Sequence, residues 1–182
     1  MLKKSIFFAA FSCLVSSAFA ADFTVTSTDV KNGKTMSLDQ VYNSFGCAGK
    51  NISPQLSWHD APTGTQSFAV TVYDPDAPTG SGWWHWTLFN IPATTSALPQ
   101  GVSRDITRLP KGVVEGRTDF GSTGYGGACP PVGDKPHHYI VTVYALKTPK
   151  LDLDSNASGA MVGYNLNQNT LQKASITVTF GR

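Results

Sequence analysis

Hydrophobic and polar positions alternate, or run unbroken, over five short stretches of the chain. FTVTS (23–27), SFAVTVYD (67–74), HWTLFNI (85–91), YIVTVYAL (139–146) and SITVTF (175–180) are rich in β-branched and aromatic residues and predict strands. SFAVTVYD and YIVTVYAL are apolar on both faces, so they are expected to be central strands covered from both sides. The connections APTGT, DPDAPTGSG and KTPKLDLDSNAS are dense in turn formers. Helical periodicity is sparse. It predicts one helix over 158–172, capped by Ser155 or Ser158, with Met161, Tyr164 and Leu171 roughly on one side. Ser37-Leu38-Asp39-Gln40 matches a capping box, although 35–45 reads equally well as extended chain. There is no repeat, low-complexity tract or linker. Short strands joined by turn-rich loops point to a mainly β fold, a sandwich with a few peripheral helices. The segment 92–138 is too long for an ordinary connection and is expected to carry function or further strands.

The first twenty residues stand apart. Lys3 and Lys4 precede an apolar run that ends in Ala18-Phe19-Ala20, the pattern of a signal peptide cut after Ala20. A rival reading makes Cys13 a lipoprotein acceptor. The apolar run is too short to span a bilayer, so no stable membrane insertion is expected. Export to the periplasm follows, with release outside the cell as a further step. The mature chain, 21–182, has the length of one domain. It keeps twelve basic and twelve acidic residues once Lys3 and Lys4 are gone. A neutral body offers no electrostatic footprint for nucleic acid or an anionic membrane. Cys47 and Cys129 remain; an even pair in an exported protein reads as a disulfide, against two buried thiols.

Familiar catalytic signatures are missing. Ser81 has glycines beside it but Thr79 and Trp83 where a nucleophile elbow needs its outer glycines. H-E-x-x-H, C-x-x-C and a phosphate-cradling G-x-x-x-x-G-K are absent. The glycine cluster 121–127 leads to Pro130-Pro131, not to a helix, and reads as a loop bent close to something. Among the histidines, His59 sits in a polar turn. His137 and His138 point to opposite faces if they lie on a strand, and His137 shares its face with Tyr139. By the same alternation His85 opposes Trp84 and Trp86. His85 and His137, on neighbouring strands, would converge with Asp74 at the end of its own. Each group also has an ordinary structural role. A histidine can close a strand end, Trp83, Trp84 and Trp86 can pack a core, and Asp74 can cap the turn it starts. One aspartate and two histidines also match a metal triad, which makes a metal protein one alternative.

DPDAP (74–78), WHW (84–86), YGGACPP (125–131) and PHHY (136–139) resemble the phosphatidylethanolamine-binding protein family, also called Raf kinase inhibitor-like. NISPQLSW (51–58) and GRTDFG (116–121) are similar to its bacterial YbhB/YbcL branch, and the leader with the cysteine pair is most like the exported YbcL type. The resemblance covers essentially the whole mature chain. It implies two packed antiparallel sheets with peripheral helices and a small pocket for phosphate, a phosphoryl head group or acetate. Carried over by motif, the pocket comprises Asp74, His85, His137 and Tyr139, with Pro78, Trp83 and the loop from Gly126 through Gly127 to Pro130 and Pro131 as walls. No cofactor or resident metal is implied. Two imidazoles, a phenol and glycine-loop N–H groups would be the donors an anion needs. A protein partner, such as a kinase, is also implied, and the oligomeric state is left open. The chain departs from the animal pattern in His138, where those relatives carry arginine, and in closing at Arg182 without their C-terminal helix. Thr118 stands where the bacterial pattern has asparagine. The alternative to a binding protein is a hydrolase using His85 or His137 as general acid–base, but no activated nucleophile is visible.

Overall fold

The computed structural model describes residues 22–182, so the signal-peptide expectation lies outside the described residues. Among the described residues eight strands form two antiparallel sheets. β1 (Thr24–Thr26), β2 (Leu56–His59) and β5 (Ala97–Leu98) make a small sheet in the order β1-β2-β5. β3 (Ser67–Asp74), β4 (Trp83–Pro92), β6 (Val114–Glu115), β7 (His137–Leu146) and β8 (Thr170–Phe180) make a larger one in the order β6-β4-β3-β7-β8. The fold is mainly β, as the hydrophobic pattern implied.

The two wholly apolar runs, β3 and β7, are adjacent inner strands of the larger sheet. Their even-odd alternation divides the interior into two cores. Phe68, Val70 and Val72 of β3, with Tyr139, Val141 and Val143 of β7, meet Leu56, Trp58 and Leu98 of the small sheet. Ala69, Phe89 and Leu146 turn the other way, onto Val162 and Leu166 of α1 (Gly159–Asn169), the one α-helix among the described residues. Both faces of β3 and of most of β7 are therefore buried, which is why these two runs are predominantly apolar, whereas β8 at the sheet edge carries exposed polar residues.

α1 departs from expectation in two respects. Ser158 caps it, its Oγ accepting from Met161 N at 3.3 Å, but the helix stops at Asn169. Thr170 to Gln172 instead extend β8 against Leu146 and Ala145 of β7. Sheet pairing there outweighs local helix propensity. The buried face is Gly159, Val162 and Leu166, whereas Met161 and Tyr164 are exposed. Trp84 explains the two glycines. A Cβ on Gly159 would lie 2.1 Å from Trp84 Cγ, and one on Gly163 3.0 Å from its Cη2.

The capping box at Ser37 makes one turn and no helix. Ser37 Oγ accepts from Asp39 N at 3.1 Å and donates to Gln40 Oε1 at 2.9 Å. His59 closes β2 and is exposed rather than lying within a turn. The long segment 92–138 contains β5, β6 and two short 3-10 turns, then a loop of close packing. No helix among the described residues is long and apolar enough to cross a membrane.

Candidate functional site

Three strand ends meet at one edge of the larger sheet. Asp74 ends β3, Trp83 and His85 begin β4, and His137 begins β7. β3 lies between the other two, so the histidine-bearing strands are not neighbours, as the sequence had suggested; they flank the strand carrying Asp74. The register adds a second correction. Trp84 pairs with Tyr73 and Trp86 with Val72, which leaves His85 as the extra residue of a bulge. Strict alternation is lost there. Trp84 turns toward α1, while Trp86 enters the core between the sheets with Tyr139. His85 follows them, its ring edge-on to Tyr139 at 5.1 Å. It therefore opposes Trp84 but not Trp86.

Loops close the site. Gly126 and Gly127 pass so near their neighbours that a Cβ would lie 2.4 Å from Phe120 Cδ2 and 2.2 Å from the Gln40 carbonyl oxygen. Only glycine fits. The disulfide between Cys47 and Cys129 joins this loop to the one carrying Phe45. Tyr42 stacks on Phe120, Phe45 meets Tyr42 edge-on and Phe120 at a tilt to complete an aromatic rim, and Trp83 meets Phe120 edge-on at 5.4 Å.

Together these elements enclose a cavity of about 210 Å³. Asp74, Pro78, Trp83, His85, Pro130 and His137 of the predicted set line it. Tyr139 is fully buried and, like Gly127, is not part of the wall. Its hydroxyl lies close to Asp74 and the Cys129 backbone but makes no hydrogen bond to any described residue. Cys129 and Pro131 of the predicted loop also line it, and Phe45, Ala77, Thr79 and Phe120, which were not singled out from sequence, complete the walls. For Phe45 a signal existed: it lies two residues before Cys47, and the cysteine pairing carries it toward Cys129.

The hydrogen bonds assign the protons. His85 Nδ1 lies 2.8 Å from the Gly126 carbonyl oxygen and 3.1 Å from that of Gly127. Carbonyls only accept, so Nδ1 carries the hydrogen. Burial pushes the ring pKa below its ordinary value, against the Gly126 carbonyl and the Asp74 charge, which pull it up. The neutral ring then leaves a lone pair on Nε2. The glycine-loop N–H groups are already used, Gly126 N donating to the His85 carbonyl and Gly127 N to Asn51 Oδ1. The loop orients His85 with its carbonyls, and these two N–H groups are not the donors expected from sequence.

His137 is the opposite case. Its Nδ1 donates to Asp74 Oδ2 at 2.8 Å and its Nε2 to Asp134 Oδ2 at 3.3 Å. Burial lowers its pKa, but bonds to and charges of Asp74 and Asp134 together outweigh this and hold it above the ordinary value. Two carboxylate partners suit a doubly protonated ring. Asp74 also caps its turn, Oδ1 accepting from Asp76 N at 2.8 Å and Ala77 N at 3.1 Å. The turn-forming and imidazole-orienting roles of Asp74 thus coexist. His138, on the other face, pairs with Asp76 Oδ2 at 2.7 Å. Among the described residues no three His, Cys, Asp or Glu side chains converge as metal ligands, so the metal triad does not assemble.

A cavity with neutral His85, a His137 ring held between two carboxylates and an aromatic wall can receive a small polar group, with the indole N–H of Trp83 buried and unbonded beside it. Known proteins share this frame. The family model "Phosphatidylethanolamine-binding protein" matches residues 26–181. The chain is 56% identical to the UPF0098 protein YbcL of Escherichia coli K12 over 180 residues, 98% of both chains. It is 53% identical to the UPF0098 protein YbhB of the same organism over 154 residues, 85% of this chain and 97% of the other. The crystal structure of E. coli YbcL, described as a new member of the mammalian PEBP family, superimposes with a TM-score of 0.87 at 58% identity, covering 89% of this chain and 99% of that one. A Chlamydia trachomatis homologue superimposes with a TM-score of 0.71 at 26% identity, covering 88% and 97%. The motifs, the two-sheet fold and the full-length similarity agree: this chain belongs to the phosphatidylethanolamine-binding protein family.

Proposed function

We propose that the protein is a periplasmic, non-enzymatic binding protein whose cavity takes a phosphate or phosphoryl head group. The observation that carries this reading is the Trp83 indole N–H, a buried donor in the cavity wall with no partner among the described residues. A buried donor without a partner costs about 1–3 kcal/mol, and an oxygen-rich ligand removes that penalty. Behind the wall, burial and the nearby Asp74 charge push the Tyr139 phenol pKa well up, so the cavity is backed by a neutral hydroxyl. Neutral His85 suits a protonated phosphate oxygen, whose hydroxyl its Nε2 accepts; once protonated, the same nitrogen becomes a donor. The aromatic and proline walls exclude water from these contacts and strengthen them. The leader and the cysteine pair support export, and the family supports a protein partner. A chain in the periplasm meets signalling kinases only across a membrane or after release, so binding of the small ligand is the primary activity.

Calorimetric titration of the mature protein with phosphate and phosphoethanolamine tests the reading. Weak, saturable binding is expected, abolished in His85→Ala and reduced at least tenfold in His137→Ala. Binding unchanged in both variants removes the cavity as the site. Mass spectrometry of the secreted protein should find Ala21 at its N-terminus.

A further inference from the structure

Both ring nitrogens of His137 are occupied by the protein itself, and the two partners differ in kind. Asp74 is fixed: both of its carboxylate oxygens are engaged, by two backbone N–H groups and by His137 Nδ1. The His137 and Asp74 side chains are only 5% and 3% exposed. Asp134 is 41% exposed and reaches Nε2 at 3.3 Å, a longer and weaker contact. It lies in the Pro131–Pro136 loop, whose own ties are long, Asp134 N to the Pro131 carbonyl at 3.4 Å and Gly133 N to the Arg182 carbonyl at 3.3 Å. The neighbouring carboxylate, Asp76, is held by His138 N and Nδ1, both at 2.7 Å. Asp134 lies outside the cavity lining and reaches it through His137, so two carboxylates flank one imidazole of the wall that an anion must approach.

We propose that Asp134 is a built-in competitor for the ligand: its carboxylate holds the His137 Nε2–H that an incoming phosphoryl oxygen needs, and binding displaces it. The inference rests on the anion-binding reading of the cavity. Asp134 thereby sets affinity and selectivity. A ligand able to make several strong contacts displaces the carboxylate, while a weakly coordinating anion does not. Its exposure makes displacement inexpensive, since a carboxylate freed from a surface ion pair regains hydration.

Titration of the mature protein and of Asp134→Asn and Asp134→Glu with inorganic phosphate and with phosphoethanolamine tests this. Asp134→Asn should bind both ligands about threefold to fivefold more tightly, the range of an exposed ion pair, with unchanged melting. Asp134→Glu should stay near wild type. The gain should persist in about 1 M salt, where the Debye length is about 3 Å and only direct contact survives. A gain that vanishes in high salt overturns the competitor in favour of a general field effect. Equal or weaker phosphate binding by Asp134→Asn also overturns it, and loss confined to phosphoethanolamine would make Asp134 an acceptor for the ammonium group. If neither wild type nor Asp134→Asn binds phosphate, the cavity reading itself falls, and the competitor with it.

Discussion

At the scale of single residues, two histidines lining one cavity hold protons differently because their partners differ. His85 gives Nδ1–H to backbone carbonyls and is kept neutral by burial, whereas His137 lies between two carboxylates. Proton NMR of the mature protein should find His137 titrating above pH 6.5 and His85 below it. The reverse order would refute the proton assignment. The stability consequences have opposite signs. A histidine with a raised folded pKa contributes stability that is complete below the unfolded pKa and lost as pH rises through the folded one, as for His137. With its folded pKa depressed, His85 makes folding less favourable as pH falls below about 6.5. Asp74 separates its two roles by substitution. Asp74→Asn keeps an acceptor for Asp76 N and Ala77 N but removes the partner charge of His137. It should cost about 1–2 kcal/mol in denaturant unfolding and lower the His137 pKa. Asp74→Ala loses both and should cost about 3 kcal/mol or more. Sequence reading gathered Asp74, His85 and His137, since turn chemistry and strand alternation are local. The hydrogen-bond partners were illegible because Gly126 and Gly127 lie 41 and 42 residues from His85 and Asp74 lies 63 from His137, while Asp134, only three residues from His137, meets it through a loop that carries no periodicity.

At the scale of elements, local pattern succeeded where burial was two-sided and failed where pairing was distant. β3 and β7 were legible because each is apolar on both faces. β5 and β6 are two residues long and carry no periodicity of their own; only their partners, β2 and β4, make them strands. The bulge at His85 was hidden as well, because a bulge is a relation between two strands. Gly159 and Gly163 run against helix propensity, and Trp84 supplies the reason for them. Replacing Gly159 with alanine gains about 1 kcal/mol of helix propensity, but its Cβ would meet Trp84 Cγ at 2.1 Å. A net destabilisation of about 2 kcal/mol is expected from denaturant unfolding, since the obstructing atom belongs to the rigid base of the ring. At Gly163 the nearest atom, at 3.0 Å, is the outer edge of the indole, so alanine there should be close to neutral. Equal losses at both positions would remove Trp84 as the cause.

At the scale of the whole molecule, the cavity joins a rigid half to a tethered half. The floor rests on strand ends inside the larger sheet, backed by both cores. The opposite wall consists of loops, the Phe45 segment and the Cys129–Pro131 segment, held together by the Cys47–Cys129 disulfide. Family motifs marked the glycine-proline loop, but the aromatic rim was not legible, since Tyr42, Phe45 and Phe120 are far apart in sequence and meet only when the loops are tied. The bond spans 82 residues, for which chain entropy gives about 4 kcal/mol of stabilisation. Arg182 reinforces the same junction, its Nε donating to the Pro130 carbonyl at 2.6 Å. Replacing both cysteines with serine should therefore act on two observables separately. Unfolding free energy should fall by about 4 kcal/mol or somewhat less, because neither sheet loses a backbone pairing. Affinity for phosphate should fall further than Arg182→Ala reduces it, because the aromatic wall loses its covalent tie while Asp74, His85 and His137 keep their places. Far-ultraviolet circular dichroism should remain that of the native sheets. If the double serine variant loses stability but binds phosphate as tightly as wild type, the loop wall contributes nothing to the ligand, and recognition resides in the strand ends alone.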